Sequence, residues 1–341
     1  MSEFEKLRYT RQANFDINQK ELIDFDFDGL KKKVYGNCNL SIFVDDFCNA
    51  DCKFCVAQLR YENVAKIYKK ETIKNTNEYY KRLDEVLTKL EPLNLSVSLT
   101  GGEPTASPKL PGILELLEKH NMRKRTITTN GSYLLHKING KSILDLLIKY
   151  NFDHLNISKT HYDDNINTKI MRYREGYCSN EDLAQIIPYA LERKLRPRLS
   201  CLLLKSGIST MQDIENYIQF YEKLGIDNVI FRELMDYDEK SMSNIEKMKY
   251  CKENKVVLND IWKEIDKNPK FVPIKNILGY YYYVEIYQYN NVVVCSESAD
   301  LKKLYAEKAK HKDKVYEMVF HPNGNLNGSW VDNEDILMKY E

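Results

Sequence analysis

An alternation of strand-like runs and amphipathic helices is the feature of this 341-residue chain that most restricts its fold. β-Branched and aromatic runs are typical of strands, and apolar spacing of three and four residues is typical of helices. The pattern predicts six strands, at residues 39–46, 95–100, 125–130, 152–158, 196–204 and 227–234, separated by helices at 74–91, 110–120, 141–151, 181–194 and 210–225. Such alternation favours a parallel sheet with helices outside. We therefore predict an α/β fold, a partial (β/α)6 TIM-like barrel with its active site at the carboxyl ends of the strands.

The pattern changes after residue 240. Residues 241–265 have a largely helical pattern, and alternating runs flank Asn290-Asn291 and Asn323-Gly324, which are hairpin signals. These signals predict a C-terminal antiparallel β appendage that caps or extends the barrel. The predicted organisation is an N-terminal extension (1–37), the (β/α)6 core (38–240) and a C-terminal helix and β-hairpin appendage capping the barrel (241–341).

Composition points to an ordinary globular protein. The formal net charge is +1, which gives no reason to expect binding to nucleic acid or to a membrane surface. No apolar run approaches the ~18 residues of a membrane span, and the charged N-terminus has no signal-peptide pattern. We therefore expect a cytoplasmic protein whose eight cysteines stay reduced. The oligomeric state cannot be inferred from the sequence.

Three cysteines follow the first predicted strand, in the order Cys48, Cys52 and Cys55. Thiolates at this spacing can bind three corners of an iron–sulfur cube, which usually takes four cysteine ligands, so that one iron stays open. One alternative is a structural zinc site completed by Cys38, and another is a set of unconnected buried thiols. The Gly-Gly-Glu-Pro motif at 101–104, directly after the second strand, favours the cluster over zinc.

Cys48-x3-Cys52-x-Phe54-Cys55, followed by Gly101-Gly102-Glu103-Pro104, resembles the radical S-adenosylmethionine (SAM) superfamily over roughly residues 38 to 235. The resemblance implies a [4Fe–4S] cluster whose open iron is chelated by the amino and carboxylate groups of SAM. It also implies reductive cleavage of SAM to methionine and a 5′-deoxyadenosyl radical that takes a hydrogen atom from substrate. An electron donor such as flavodoxin or ferredoxin would be a partner.

The core looks like that of the molybdenum-cofactor enzyme of this superfamily, without that enzyme's second cysteine set. The C-terminal third contains only Cys251 and Cys295, so we expect one cluster and no SPASM or twitch domain. This departure argues against the molybdenum-cofactor cyclase activity itself.

The candidate cofactor contacts lie at or near strand ends. The resemblance places the glycines and Glu103 against the amino group of SAM, where glycine allows close backbone approach to a ligand. Ser158 would meet the SAM ribose or carboxylate, Asn130 faces the same mouth, and Arg198 could pair with the carboxylate. Turn, capping or solvent-exposed roles are the alternatives for these polar residues. The predicted contacts are Gly101, Gly102, Glu103, Asn130, Ser158, Arg198 and Phe54, the last of which would shield the cluster from water.

Substrate contacts are predicted after strands four and six, while the catalytic residues stay unknown. The candidates are His161, Arg172, Arg232 and Glu233, for which the alternative is a charged rim. The Tyr280–Tyr283 run and Trp330 could line the pocket or pack within a sheet.

Three functions are consistent with these features. The first is a radical SAM enzyme that abstracts hydrogen from a small polar metabolite or natural-product intermediate, leading to epimerisation, dehydration, decarboxylation or rearrangement. The second is a radical SAM enzyme that modifies a peptide. The third, of a different class, is a non-catalytic metal-stabilised binding protein.

Overall fold

A computed structural model describes residues 15–16, 20–59, 72–235, 237 and 239–341. The chain begins with a short strand β1 (Phe15–Asp16), followed by β2 (Leu22–Phe27) and β3 (Leu30–Tyr35). The antiparallel pair β2–β3 turns at Asp28-Gly29, where φ is 53° and 95°. Two positive φ values are what a type I′ hairpin turn requires, and glycine supplies the second without strain.

Six strands form a continuous parallel run in the order β4-β5-β6-β9-β10-β11. Two very short strands, β7 and β8, form a separate hairpin. The predicted parallel α/β sheet is therefore confirmed, and its curvature into a barrel stays a prediction. The strands are β4 (Asn39–Phe43), β5 (Ser96–Thr100), β6 (Lys124–Thr129), β7 (Lys137–Ile138), β8 (Lys141–Ser142), β9 (His154–Ser158), β10 (Arg196–Leu202) and β11 (Asn228–Arg232).

Helices occupy the connections between these strands. Ser142, Ser179 and Thr210 form capping boxes that start α4, α6 and α7. Pro188 lies inside α6 without ending it. Three helices, α1, α5 and α10, lie outside the helices predicted from the sequence. The helices are α1 (Val56–Leu59), α2 (Thr76–Leu90), α3 (Leu110–Glu118), α4 (Ile143–Lys149), α5 (Asp164–Met171), α6 (Asn180–Glu192), α7 (Met211–Glu222), α8 (Ile245–Asn254), α9 (Leu258–Ile265) and α10 (Leu301–Lys310).

The C-terminal strands join the same sheet at both ends of the parallel run. β14 pairs in parallel with β11 and antiparallel with β13, while β16 pairs in parallel with β4. Both predicted hairpins are present, between β13 and β14 and between β16 and β17. The strands are β12 (Phe271–Leu278), β13 (Tyr282–Tyr289), β14 (Val292–Ala299), β15 (Lys314–Val315), β16 (Met318–Phe320), β17 (Leu326–Asn327) and β18 (Ile336–Met338).

The two faces of the parallel run differ in polarity. Successive side chains of a strand point to opposite faces, and one face carries residues such as Ile42, Leu99 and Leu199, fully buried in the main core with residues of the helices. On the other face, Ser98 hydrogen-bonds to Thr126 at 2.8 Å. Parallel strands covered on both faces are usually apolar on both. We will refer to this second side as the polar face; it has the chemistry expected of a surface that meets a polar ligand.

No helix in the described part of the chain combines the length and the apolar character needed to span a bilayer.

Removing residues 241–341 should abolish independent folding of the rest. The cut would leave β4 and β11 without their neighbours β16 and β14, and unpaired edges favour aggregation. We expect the shortened chain to lack a cooperative thermal transition by circular dichroism and to elute as aggregates. A monomeric product with a cooperative transition would instead show that residues 1–240 contain a self-sufficient domain.

Candidate functional site

The loop that carries the three cysteines follows β4 and is bound first to the loop that follows β5. Gly102 N donates to Asp45 O at 2.8 Å, and Glu103 N donates to Phe47 O at 2.7 Å. A Cβ atom at Gly102 would lie 2.0 Å from Phe47 O, and Gly101 has a φ of 140°. Both positions therefore require glycine because two backbone segments contact each other here, and this requirement does not depend on a ligand.

A second side of the cysteine loop is bound by the segment that follows α5. Asp51 N donates to Arg172 O at 3.0 Å, and Arg174 N donates to Asn49 O at 2.8 Å. The side-chain amide of Asn49 also donates to Glu175 O at 2.8 Å. These contacts place the segment that follows α5 directly beside the cysteine loop.

The third side is formed by α8 and the residues just before it. Lys247 Nζ donates to Asp51 Oδ1 at 2.9 Å and to the backbone oxygen of Cys52 at 2.5 Å. Asn244 N donates to Leu59 O at 2.9 Å, at the end of α1. The C-terminal third of the chain thus takes part in holding the cysteine loop.

The three thiols lie near enough for their charges to interact, and each cysteine is partly buried. Burial raises the pKa of Cys48 to about 12 and raises the pKa values of Cys52 and Cys55. A negative charge on Cys55 would further raise the pKa of the other two thiols. The cations that oppose these shifts are Arg174 at Cys48, and Lys247 at Cys52 and Cys55. Together the thiols form a compact donor set that is poorly suited to carrying free thiolates.

The position of Cys38 argues against the zinc site that the sequence left open as an alternative. Among the described residues, no three His, Cys, Asp or Glu side chains surround a point that could hold a single ion. Cys38, the expected fourth zinc ligand, precedes β4, whereas the three cysteines follow it. Five extended residues separate the two sites by roughly 16 Å, so Cys38 lies at the wrong end of the strand for the zinc alternative.

Glu103 is a buried anchor between neighbouring loops. Its carboxylate accepts hydrogen bonds from the hydroxyls of Thr105 and Thr129, both at 2.5 Å, and from Asn130 N at 2.7 Å. Burial raises the pKa of Glu103, and these hydrogen bonds oppose the shift. Asn130 Nδ2 in turn donates to Asn49 Oδ1 at 2.8 Å. These hydrogen bonds connect the loops that follow β5 and β6 to the cysteine loop, which follows β4.

Two further candidate cofactor contacts flank this centre. Phe54 packs against a small apolar cluster that includes Leu59 and Ile170, which covers one side of the cysteine loop. Ser158 ends β9, pairs in register with Ser200 and is half-buried. Its position at the carboxyl edge of the sheet is the one that the sequence predicts.

Arg198 belongs to a charged group on the polar face. Its Nε donates to Asn156 Oδ1 at 2.9 Å. Burial lowers the pKa of Arg198, and the positive charge of Arg232 lowers it further, whereas Glu297 raises it. Arg232 Nε lies 3.5 Å from Glu297 Oε1. The predicted pairing of Arg198 with the SAM carboxylate stays a prediction.

A tyrosine-rich cavity of about 230 Å³ lies between β13 and the β4–β16 pair, with Ser41 and Glu317 also in its wall. Tyr281 is close enough to Arg232 and Glu297 for their charges to act on its pKa, which burial raises. Tyr283 instead donates a hydrogen bond to the buried Glu285 at 3.0 Å. The aromatic residues in the cavity wall are Tyr35, Tyr280, Tyr281, Tyr282, Tyr316 and Trp330.

The other predicted substrate residues lie apart from this cavity. His161 is buried, its Nδ1 accepting a hydrogen bond from Asp163 N at 2.9 Å. Glu233 is 4% exposed and accepts a hydrogen bond from Ser298 at 2.8 Å. Arg172 forms an ion pair with Asp51 at 3.2 Å. The structure therefore brings Arg198 and Arg232 together, whereas the side chains of these three residues have other partners, although Glu233 N donates to Glu297 O at 3.0 Å. Their substrate roles stay predictions.

Sequence reasoning missed Asn49, Lys247 and Glu297. Asn49 could have been found from its place beside Cys48, since a polar residue inside a cysteine run often fixes the loop. Lys247 and Glu297 gave no signal because both reach their partners only through long-range folding.

The family model of the radical SAM superfamily matches residues 42–221, which is more than half of the chain. The chain belongs to the radical SAM superfamily. Its expected class as a radical SAM enzyme is confirmed, as are its two cofactors, a [4Fe–4S] cluster and SAM. The alternative of a non-catalytic binding protein is not supported.

A curated relative from Methanocaldococcus jannaschii, named as a candidate glycyl-radical enzyme activating enzyme, is 27% identical over 195 residues. The aligned part is 56% of each chain, so this chain spans about half the length of that relative. Such partial coverage does not transfer the relative's activity to this radical SAM enzyme.

Solved structures of SuiB from Streptococcus suis share the fold. The structure with bound SAM superposes with a TM-score of 0.53 and 16% identity, covering 89% of this chain and 63% of SuiB. A second SuiB structure gives a TM-score of 0.51 at 16% identity, with 87% and 61% coverage. At this identity the likeness concerns the fold alone, and this chain spans less than two thirds of SuiB.

Gly102→Ala should damage the site of this radical SAM enzyme more than its small size suggests. The new methyl group would overlap Phe47 O, and overpacking of this kind costs about 3 kcal/mol. We expect a lower midpoint of chemical unfolding and reduced iron content after reconstitution.

Gly36→Ala is the matched control, because a Cβ there would meet its nearest atom at an ordinary 3.6 Å. Equal iron content and equal unfolding midpoints in the two variants would contradict the tight loop contact.

Proposed function

We propose that Cys48, Cys52 and Cys55 bind the [4Fe–4S] cluster, and that the enzyme abstracts hydrogen from a small polar metabolite bound on the polar face. The observation that carries the substrate part is the polarity of that face, which presents hydroxyl, amide and guanidinium groups where a closed sheet would be apolar. Whether epimerisation, dehydration, decarboxylation or rearrangement follows depends on the substrate.

The cofactors, when bound, supply a 5′-deoxyadenosyl radical. The described residues would hold and orient them. In this proposal the loop of Gly101, Gly102 and Glu103 contacts the amino group of SAM, and Asn130 and Ser158 contact its polar parts. Phe54 excludes water from the cluster, a role supported by its packing in the apolar cluster beside the loop.

We also propose that the sheet curves into the partial (β/α)6 barrel predicted from the sequence. The parallel order of six strands, the apolar face towards the helices and the polar face opposite support this curvature. The carboxyl ends of the strands would then surround one mouth, as in barrels with an active site at that end.

The charged group of Arg198, Arg232 and Glu297 would orient the substrate in this barrel. Arg232 Nε lies in an ion pair with Glu297 Oε1 at 3.5 Å but makes no hydrogen bond within the described structure, so an acceptor atom of a ligand could still bind to it.

A second candidate is hydrogen abstraction from a peptide or protein. The M. jannaschii relative carries the name of an activating enzyme, whose substrate is another protein. The electron donor, a flavodoxin or a ferredoxin, and a cytoplasmic location complete the proposal.

Replacing any one of Cys48, Cys52 and Cys55 by alanine should lower the iron content of anaerobically reconstituted protein from about four per chain and abolish formation of 5′-deoxyadenosine from SAM. Cys38→Ala is the control and should retain both. Wild-type protein with one zinc and intact SAM would overturn the proposal.

The substrate class can be tested by adding separated fractions of a cell extract to the reduced enzyme with SAM. We expect the small-molecule fraction to stimulate 5′-deoxyadenosine formation, and Arg232→Gln to reduce the stimulation by about tenfold, as loss of a charged hydrogen bond would. The exposed Arg193→Gln serves as control. Stimulation by the macromolecular fraction alone would favour the peptide candidate.

A further inference from the structure

Lys247 is a buried cation that comes from outside the region matched by the family model. It lies on α8, its residue is 5% exposed, and its Nζ bonds to Asp51 and to the backbone oxygen of Cys52. A buried ammonium group is normally retained only with full hydrogen bonding and a charged partner. Both partners of Lys247 belong to the cysteine loop.

The charges around this lysine do not cancel. Asp51 is shared between Lys247, at 2.9 Å, and Arg172, at 3.2 Å. Arg172 also meets Glu246 at 3.4 Å, but the side chain of Glu246 is 85% exposed and is screened by water. The side chain of Arg172 is itself 44% exposed and partly screened, so the one carboxylate of Asp51 is divided between the buried Lys247 and a half-exposed cation.

We propose that Lys247 is a positioning residue that also raises the reduction potential of the cluster held by Cys48, Cys52 and Cys55. Uptake of one electron makes a thiolate-bound cluster more negative, with no bond made or broken. A fixed positive charge directly behind the cysteine loop stabilises that added charge, because local charge and hydrogen bonding set cluster potentials.

The inference rests on the proposed cluster ligands, but it concerns a residue that the family motif does not contain. It also gives α8 a function. The helix places a positive charge against the side of the cysteine loop that faces α8, whereas SAM and substrate would approach from the polar face.

Potentiometric titration of the reconstituted protein, followed by the electron paramagnetic resonance signal of the reduced cluster, tests the proposal. Lys247→Met keeps the length of the side chain without its charge. We expect the ratio of reduced to oxidised cluster at a fixed potential to fall about tenfold, which corresponds to about 59 mV for one electron. Lys247→Arg should restore a potential near that of the wild type.

Two further variants separate charge from structure. Lys249→Met removes an exposed lysine from the same helix and should leave the potential unchanged. Asp51→Asn removes the carboxylate and leaves Lys247 in place, so the potential should rise. A general loss of loop order would not give shifts of opposite sign.

Equal potentials in Lys247→Met and Lys249→Met would overturn the proposal, as would shifts of the same sign in Lys247→Met and Asp51→Asn. If Lys247→Met fails to retain a cluster, a raised potential in Asp51→Asn supports the proposal and an unchanged one overturns it. Wild-type protein that binds no iron at the three cysteines would refute the proposed cluster ligands instead, and its iron content measures this separately.

Discussion

Backbone hydrogen bonds between loops that follow adjacent parallel strands fix the position of the three cysteines. Gly102 and Glu103 bind the backbone at Asp45 and Phe47, and the approach is so close that a side chain at Gly102 would not fit. Parallel strands bring consecutive carboxyl ends to one edge, so these contacts follow from strand order. The buried carboxylate of Glu103 extends the same connection to Asn130 after the third strand.

Two parts of this arrangement could be predicted from sequence because their signals are local. Strand–helix alternation gave the parallel run, and the spacing of Cys48, Cys52 and Cys55 together with the glycine motif gave the family. The reason for the glycines was only partly foreseen. Their freedom from a side chain was assigned to ligand approach, whereas the described contacts show that another backbone lies against them.

Contacts between residues far apart in the sequence were the part of the structure that could not be predicted. Alternation identified the C-terminal strands but not their neighbours, and β14 and β16 turned out to pair in parallel with opposite ends of the run. Lys247 lies 195 residues from Cys52 in sequence, yet it donates a hydrogen bond to that residue's backbone. No periodicity or spacing can reveal such a contact. The C-terminal third therefore helps to hold the cysteine loop, whereas sequence alone assigned it to an appendage.

Burial of the thiols links cofactor binding to protonation. The pKa of Cys48 is raised to about 12 because its sulfur is withdrawn from water, and those of Cys52 and Cys55 are raised for the same reason. Metal ligation requires thiolates, so if these three cysteines bind the cluster as proposed, its assembly releases their protons and becomes more favourable as pH rises. Arg174 and Lys247 reduce the electrostatic penalty of the resulting negative charge from two sides. The contacts that bury the cysteine loop thus also place Arg174 and Lys247 beside it, and their positive charges would stabilise an anionic cluster bound there.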